Sequence, residues 1–493
     1  MNRALRRISI AVLVMFVLLL INVNYLQGFE PASLAAKPNN VRAFDAQFQY
    51  QRGNIVTQDG VTVAESKPSG DIYKYKREYP LGPEYAPVTG YDTLYSQTGI
   101  EAAENSLLSG SDSSLTVRNL IDLLTGKQRK GANVTLTINS KAQAAAYSAL
   151  AAGGKAGGVV AIDPKTGQIL AMASYPSYDP NVLATHNGTQ LNKADSALLK
   201  ETGDPLLNRA LQVTYPPGST FKIITSSTLF TQDPSTTINT SVASPTQLTL
   251  PQTSNVLIND DHEACGDGSG QAPLITAFAQ SCDTTFGKIG ITLGAQALNN
   301  MATKFGMNNP NLTIPLAVTQ SNYVIPPSQA LTAYSAIGQY SDTVTPLQEA
   351  MLAATIANGG TLMRPYLVQQ VTASDLSTVQ TTAQSALSQP VSSAVAGDIG
   401  QMMRAVVQDT DGTAYAFNAA ATDGIVIAGK TGTAQNGVNN SNLNDAVFTS
   451  YAPYANPDIA VGVIIQGGGY GASAAAPIAV KVIEAYQAYL GQK

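Results

Sequence analysis

An almost unbroken apolar run from Ile8 to Ile21 follows Arg3, Arg6 and Arg7, and it continues more weakly through Val23, Tyr25 and Leu26. At 1.5 Å per residue a helix from Ile8 to Leu26 spans about 28 Å, close to the thickness of a hydrocarbon core. The stretch can cross a membrane once, and the rest of the chain holds no comparable run. With the arginines kept on the cytoplasmic side, everything after about Tyr25 is delivered outside. Ser33-Leu34-Ala35 resembles a small-x-small cleavage site but lies well past the apolar run. Residues 1–29 are therefore read as a cytoplasmic tail and an anchor, with a cleaved signal peptide as the alternative.

The anchor carries a large globular chain, since 493 residues suffice for two or three domains with substantial cores. Only 12% of residues are charged while 44% are hydrophobic, which excludes wholesale disorder. A net charge of −5 without a basic block excludes nucleic acid as a partner. Cys265 and Cys282 are the only cysteines. Outside the cytoplasm the simplest arrangement is one disulfide closing a short loop; two free thiols, or a metal site with His262 and Glu263, are the alternatives. The spacing matches no zinc signature, so no metal is expected. With two histidines, neither a Ser-His-Asp triad nor a three-histidine zinc site fits, and His186 reads as a surface loop residue.

Past the anchor, Glu30 to Asn40 reads as a spacer containing Pro31 and Pro38. Residues 30–131 form a small, mixed, non-catalytic domain. In it, Arg52 to Val56 and Asp59 to Val63 are short strands, Tyr73 to Gly90 is packed loop, and Ser114 to Lys127 is a helix by its apolar spacing. A linking segment, 132–156, holds a strand from Val134 and a helix from Ser140. From Gly157 to the end the character changes to apolar strands and Ala-rich helices. Strands at both ends of that region, Val159 to Ile162 and Ile169 to Ala173 at one and Gly424 to Ala428, Val447 to Tyr451 and Ile459 to Ile465 at the other, are expected to share one sheet in an α+β arrangement.

Three short motifs carry chemistry. Tyr215-Pro216-Pro217-Gly218-Ser219-Thr220-Phe221-Lys222 places a Pro-Gly break before a helix, and residues three apart on a helix are neighbours. The Ser219 hydroxyl and Lys222 amine can then act as nucleophile and base, and the helix amino terminus favours an oxyanion. Ser281-Cys282-Asp283 follows the helical stretch Leu274 to Gln280, and its serine can pass a proton. Lys-Thr-Gly occurs twice. Lys165-Thr166-Gly167 is ordinary hairpin-turn chemistry. Lys430-Thr431-Gly432-Thr433 follows an apolar strand, where a lysine can bind a carboxylate, the Thr433 amide can face an oxyanion, and Gly429 and Gly432 are expected to let a ligand approach the backbone.

The ordered trio resembles the penicillin-recognising serine acyltransferases. Flanking segments extend the likeness: Gly157 to Asp163, Tyr175 to Asn181, Leu207-Asn208-Arg209-Ala210, Gly338-Gln339, Thr345-Pro346-Leu347-Gln348, Ala357 to Gly360 and Met363 to Tyr366. The anchored layout is similar to class B penicillin-binding proteins. The resemblance implies a penicillin-binding, β-lactamase-like transpeptidase domain over 157–493, an antiparallel sheet flanked by helices with a helical subdomain. It implies a penicillin-sensitive D,D-transpeptidase that needs no cofactor and acts on peptidoglycan stem peptides ending in D-Ala-D-Ala. In that scheme Ser219 is acylated, Lys222 is the base, Ser281 relays a proton, Lys430 and Thr431 hold the terminal carboxylate, and the Ser219 and Thr433 amides form an oxyanion hole. β-Lactams are the implied covalent inhibitors, and cell-wall synthesis or division proteins the implied partners. A D,D-carboxypeptidase of the same fold, or a weakly catalytic β-lactam-binding scaffold, are the alternatives. The family usually has Asn where this chain has Asp283. An ionised carboxylate cannot donate a hydrogen bond, so Asp283 is expected to be protonated, to pair with a cation such as Lys430, or to slow acylation.

Overall fold

The computed structural model describes residues 3–28, 30, 47–126, 128–260, 262–435 and 442–492. Helix α1, Arg3–Gly28, contains the apolar run; Leu5–Leu26 has a mean hydropathy of 2.4 and no part of its span is buried in the protein. The expected spacer lies, apart from Glu30, outside the described residues.

In chain order the elements used below are β1 (Ile55–Val56), β2 (Thr62–Pro68), β3 (Tyr75–Glu78), α2 (Gly82–Thr89), α3 (Thr116–Leu124), β4 (Asn133–Leu136), α4 (Ser140–Gly153), β5 (Gly157–Ile162) and β6 (Ile169–Tyr175). They continue with α5 (Lys222–Gln232), α6 (Leu274–Ala279), α7 (Asp283–Leu293), α8 (Pro346–Ala357), β7 (Val368–Thr372), β8 (Thr378–Thr381) and α9 (Ser393–Gln408). The chain closes with β9 (Ala428–Ala434), β10 (Asp445–Ala452), β11 (Ile459–Ile465) and α10 (Ala476–Leu490).

Six strands form the sheet nearest the anchor, in the order β8-β7-β4-β1-β2-β3. It is not assembled from one stretch of sequence, because β7 and β8 come from beyond residue 367 and β7 pairs with β4. The Tyr73 to Gly90 segment, expected as loop, holds β3 and α2. Pro83 stands in the first turn of α2, where its missing N–H costs nothing and its fixed φ favours the helix. Beneath the sheet lies an ion cluster with no motif to announce it. Glu101 accepts from Arg52 Nε at 2.6 Å and from Arg77 Nε at 2.5 Å, and Asp92 lies 3.7 Å from Arg52. Asn181 clamps this domain to the next, bonding Tyr79 through both its side-chain oxygen, 2.9 Å, and its nitrogen, 2.8 Å.

The second sheet is antiparallel throughout, in the order β9-β10-β11-β5-β6, so the two ends of the 157–493 region do share one sheet. Helices α4 and α10 pack on it, and α8 lies against β5, β10 and β11. With helices on both faces, β5, β10 and β11 are buried at every residue, which explains the apolar runs of β5 and β11 instead of the alternation of a half-exposed strand. Contact with α8 is so close that a Cβ on Gly462 would meet the Ala350 nitrogen at 2.4 Å.

Candidate active site

Ser219 sits where an extended segment turns into a helix. Gly218 adopts a left-handed φ of +56°, which a glycine tolerates best, and the chain enters a 3₁₀ turn, Gly218–Phe221, before α5. Lys222 then lies one turn from Ser219, with its Nζ 2.9 Å from Ser219 Oγ. The lysine is completely buried, and its Nζ also reaches Ser281 O at 2.6 Å, Ser281 Oγ at 3.2 Å and Asp283 Oδ1 at 2.6 Å. Four acceptors thus surround a group with at most three protons.

Ser281 occupies the corner between α6 and α7 with a left-handed φ of +63°. A non-glycine residue held in that region stores strain, and such strain clusters at functional sites. The corner aims Ser281 Oγ between two amines, 3.2 Å from Lys222 Nζ and 2.8 Å from Lys430 Nζ. Cys282 at the same corner is disulfide-bonded to Cys265, with the Cα atoms 6.2 Å apart. Of the partners considered for Asp283, the geometry gives a lysine, but Lys222 and not Lys430. Asp283 is the first residue of α7, where the helix dipole favours its charge.

Lys430, Thr431, Gly432 and Thr433 do not follow a strand; they are inside β9, which runs to Ala434. This is the edge strand of the second sheet. Thr433 O accepts from Gln339 Nε2 at 2.9 Å, away from β10, and in an antiparallel strand the N–H of a residue points the same way as its C=O. The Thr433 amide therefore faces the open edge, toward the serine. Lys430 is wholly buried behind the cavity wall, and burial first and the neighbouring Lys222 second hold its amine well below the usual lysine range. The small residues of this strand are needed for close packing against the protein itself. A Cβ on Gly432 would meet Pro217 O at 2.8 Å, and one on Gly429 would meet the Phe448 ring at 2.7 Å.

These groups border a cavity of about 260 Å³ lined by Ser219, Ser281, Thr431 and Thr433. Sequence reasoning missed Asp260, Thr413 and Tyr470, which also line it. Thr413 bonds the Thr431 hydroxyl at 2.7 Å, yet its turn carries no spacing that would single it out. Glu349 was missed as well. It is fully buried behind the nucleophile turn, with Oε1 2.8 Å from Thr220 Oγ1, and burial pushes its carboxyl up to about 8. The other Lys-Thr-Gly copy is a turn: Lys165 Nζ bonds Asn456 at 2.9 Å, far along the chain from these motifs. His186 does lie in a loop, where its Nδ1 is 2.6 Å from Asp71 and its ring packs against Phe48 and Tyr73.

Comparison with known proteins agrees with this geometry. Residues 157–484 match the penicillin binding protein transpeptidase domain, and residues 52–134 match the penicillin binding protein A dimerisation domain. The peptidoglycan D,D-transpeptidase PbpA of Mycolicibacterium smegmatis is 40% identical over 98% of this chain and 99% of its own. Penicillin-binding protein A from M. tuberculosis, solved as a ceftriaxone acyl-enzyme complex, superposes with a TM-score of 0.85 at 38% identity, covering 90% of this chain and 99% of that one. The D,D-transpeptidase domain of a peptidoglycan glycosyltransferase from Eggerthella lenta gives a TM-score of 0.76 at 32% identity over 90% of this chain and 100% of that one. The chain belongs to the penicillin-binding protein transpeptidase family.

Proposed function

We propose that this chain is a membrane-anchored serine D,D-transpeptidase that crosslinks peptidoglycan stem peptides and is acylated by β-lactams at Ser219. The observation that carries the reading is the Ser281 hydroxyl shared by two buried amines, one of which is 2.9 Å from Ser219 Oγ. Neutral Lys222 takes the Ser219 proton as Oγ attacks the carbonyl of the penultimate D-Ala. Asp283, at 2.6 Å, steadies the ammonium that forms. The oxyanion is held by the Ser219 and Thr433 amides. As the C–N bond breaks, Ser281 passes a proton to the departing D-Ala amine, and Lys222 is neutral again. The amine of a second stem then attacks the acyl-enzyme, losing its proton along the same route, and Ser219 is released. Thr431 contacts the terminal carboxylate from the cavity wall, and Lys430 contributes from behind it. Helix α1 anchors the chain, with its arginines inside and the remaining domains outside, where the Cys265–Cys282 disulfide is stable.

A fluorescent penicillin is expected to label the wild type and not Ser219→Ala. Absence of wild-type labelling would favour a non-acylating scaffold, the reading that Asp283 invites. With a stem-peptide thioester and a D-amino acid acceptor, transfer product supports a transpeptidase, and hydrolysis alone a carboxypeptidase.

A further inference from the structure

The first sheet has one end that gathers apolar side chains with no core to enter. Strands β1 and β4 are parallel, and Gln51, just before β1, bridges to Lys130, just before β4. The antiparallel pairings of β1 with β2, β2 with β3 and β7 with β4 bring the β2–β3 and β7–β8 turns to that same end. Helix α3 is fixed there too, because Arg118 bonds Asp375 and Ser377 in the β7–β8 turn. The chain arrives from the anchor at this point: Tyr75 N bonds Phe48 O, and Gln49 bonds Ile72 O.

Four of the five most exposed large apolar side chains among the described residues are here: Ile72 at 79%, Leu124 at 78%, Leu376 at 76% and Val117 at 72%. Val117, Leu120, Ile121 and Leu124 stand at i, i+3, i+4 and i+7, one continuous stripe of α3. Exposed Lys74, Lys76 and Lys130 surround the patch, while the acidic Asp71 and Asp375 are engaged by His186 and Arg118. Helix α3, whose own charges are Arg118 and Asp122, presents an apolar stripe flanked by lysines from neighbouring segments, which suits a helix lying against anionic headgroups. Eighteen residues, 29–46, separate α1 from the domain, a reach of at most about 65 Å when extended, and because the chain enters the domain at this end, this end can reach the bilayer.

We propose that this end of the sheet docks on the outer surface of the bilayer that holds α1, with α3 lying in the interface and Ile72 and Leu376 inserted beside it. Docking would fix the height and tilt of the catalytic cleft above the membrane instead of leaving it on a free tether. The inference rests on the anchoring proposed above.

The chain contains no tryptophan, so a single introduced one reports alone. The full chain would be reconstituted in phosphatidylcholine–phosphatidylglycerol vesicles with and without brominated acyl chains, as Leu120→Trp, as Leu19→Trp within α1, and as Leu199→Trp on the transpeptidase surface. Penicillin labelling would verify that each variant is folded. Brominated lipid is expected to remove about half of the Leu120→Trp emission, approaching the loss for Leu19→Trp, and to leave Leu199→Trp unaffected. Quenching of Leu19→Trp without Leu120→Trp overturns the docking and spares the anchor, whereas quenching of neither overturns the anchor. A Leu120→Trp shielded from aqueous acrylamide but not quenched by bromine is covered by residues 31–46, a second copy or another protein, and this also overturns the docking.

Discussion

Two clusters of buried charge sit in the two domains, and they are balanced differently. Under the first sheet, Arg52 and Arg77 face Glu101 and Asp92, two cations against two anions. Burial pushes the Glu101 carboxyl up, but the guanidiniums outweigh it and hold it below the usual carboxylate range. At the active site, Asp283 lies against Lys222 alone, Asp283 and Asp260 act on Lys430 without a direct contact, and the Ser281 hydroxyl lies between the two amines. Matched charges satisfy one another and hold a shape. At the active site the Lys430 ammonium is disfavoured by burial and by the neighbouring Lys222, so this cluster is less firmly held in one charge state.

Substitutions that remove one member of each cluster should separate these roles. Lys222→Ala is expected to lower the rate of penicillin acylation about a thousandfold, the loss of a positioned base, while the melting temperature changes little. Glu101→Ala should do the reverse. It leaves the buried Arg77 without a carboxylate and Arg52 with Asp92 alone, and should cost roughly 3 to 5 kcal/mol of stability, read by denaturant titration. Its acylation rate per folded molecule should equal that of the wild type. A slower rate in the folded fraction would mean that the two clusters are coupled and the contrast is false.

The sequence makes the reactive cluster legible and hides the structural one, for a physical reason. Ser219 and Lys222 are three residues apart on one helical turn, and Lys430 and Thr433 are three apart in one short motif, so their nearness is fixed before the fold is known. Arg52, Arg77, Asp92 and Glu101 meet only because β1, β3 and the segments after α2 are folded together, and no spacing records that. Asp283 was placed near the site, but its partner depends on the tertiary corner at Ser281. The same limit explains Gly429 and Gly432. A glycine signals a close approach without saying by what, and here the answers are the Phe448 ring and Pro217 O. Strands β7 and β8 show the largest gap, since nothing local says that residues after 367 return to the first sheet.

A smaller effect concerns Lys430. Its folded-state value lies well below the ordinary 10.5, so between the two values the unfolded chain binds the proton that the folded chain has lost. Stability therefore rises with pH across that window. Lys430→Met, which fills the site without a charge, is expected to raise the melting temperature by a few degrees near neutral pH, even after losing the bond to Ser281. The advantage should shrink as pH approaches 10.5, where the unfolded lysine also becomes neutral. A difference that is constant with pH would show that Lys430 is buried at no electrostatic cost, and the two clusters would then be alike.

The finest distinction falls on Asp283, the carboxylate in contact with Lys222. Asp283→Asn keeps an oxygen 2.6 Å from Lys222 Nζ and adds an amide donor, which the carboxylate lacks. The substitution takes away the counter-charge for the ammonium formed on attack, and supplies a donor to the substrate carbonyl. These two consequences oppose each other, so penicillin acylation should stay within about tenfold of the wild type, roughly 1.4 kcal/mol in the barrier. Stopped-flow acylation measures this directly. A fall beyond about a hundredfold would make the carboxylate an essential counter-ion. Charge matching, on which the structural cluster depends, would then govern the reactive one too.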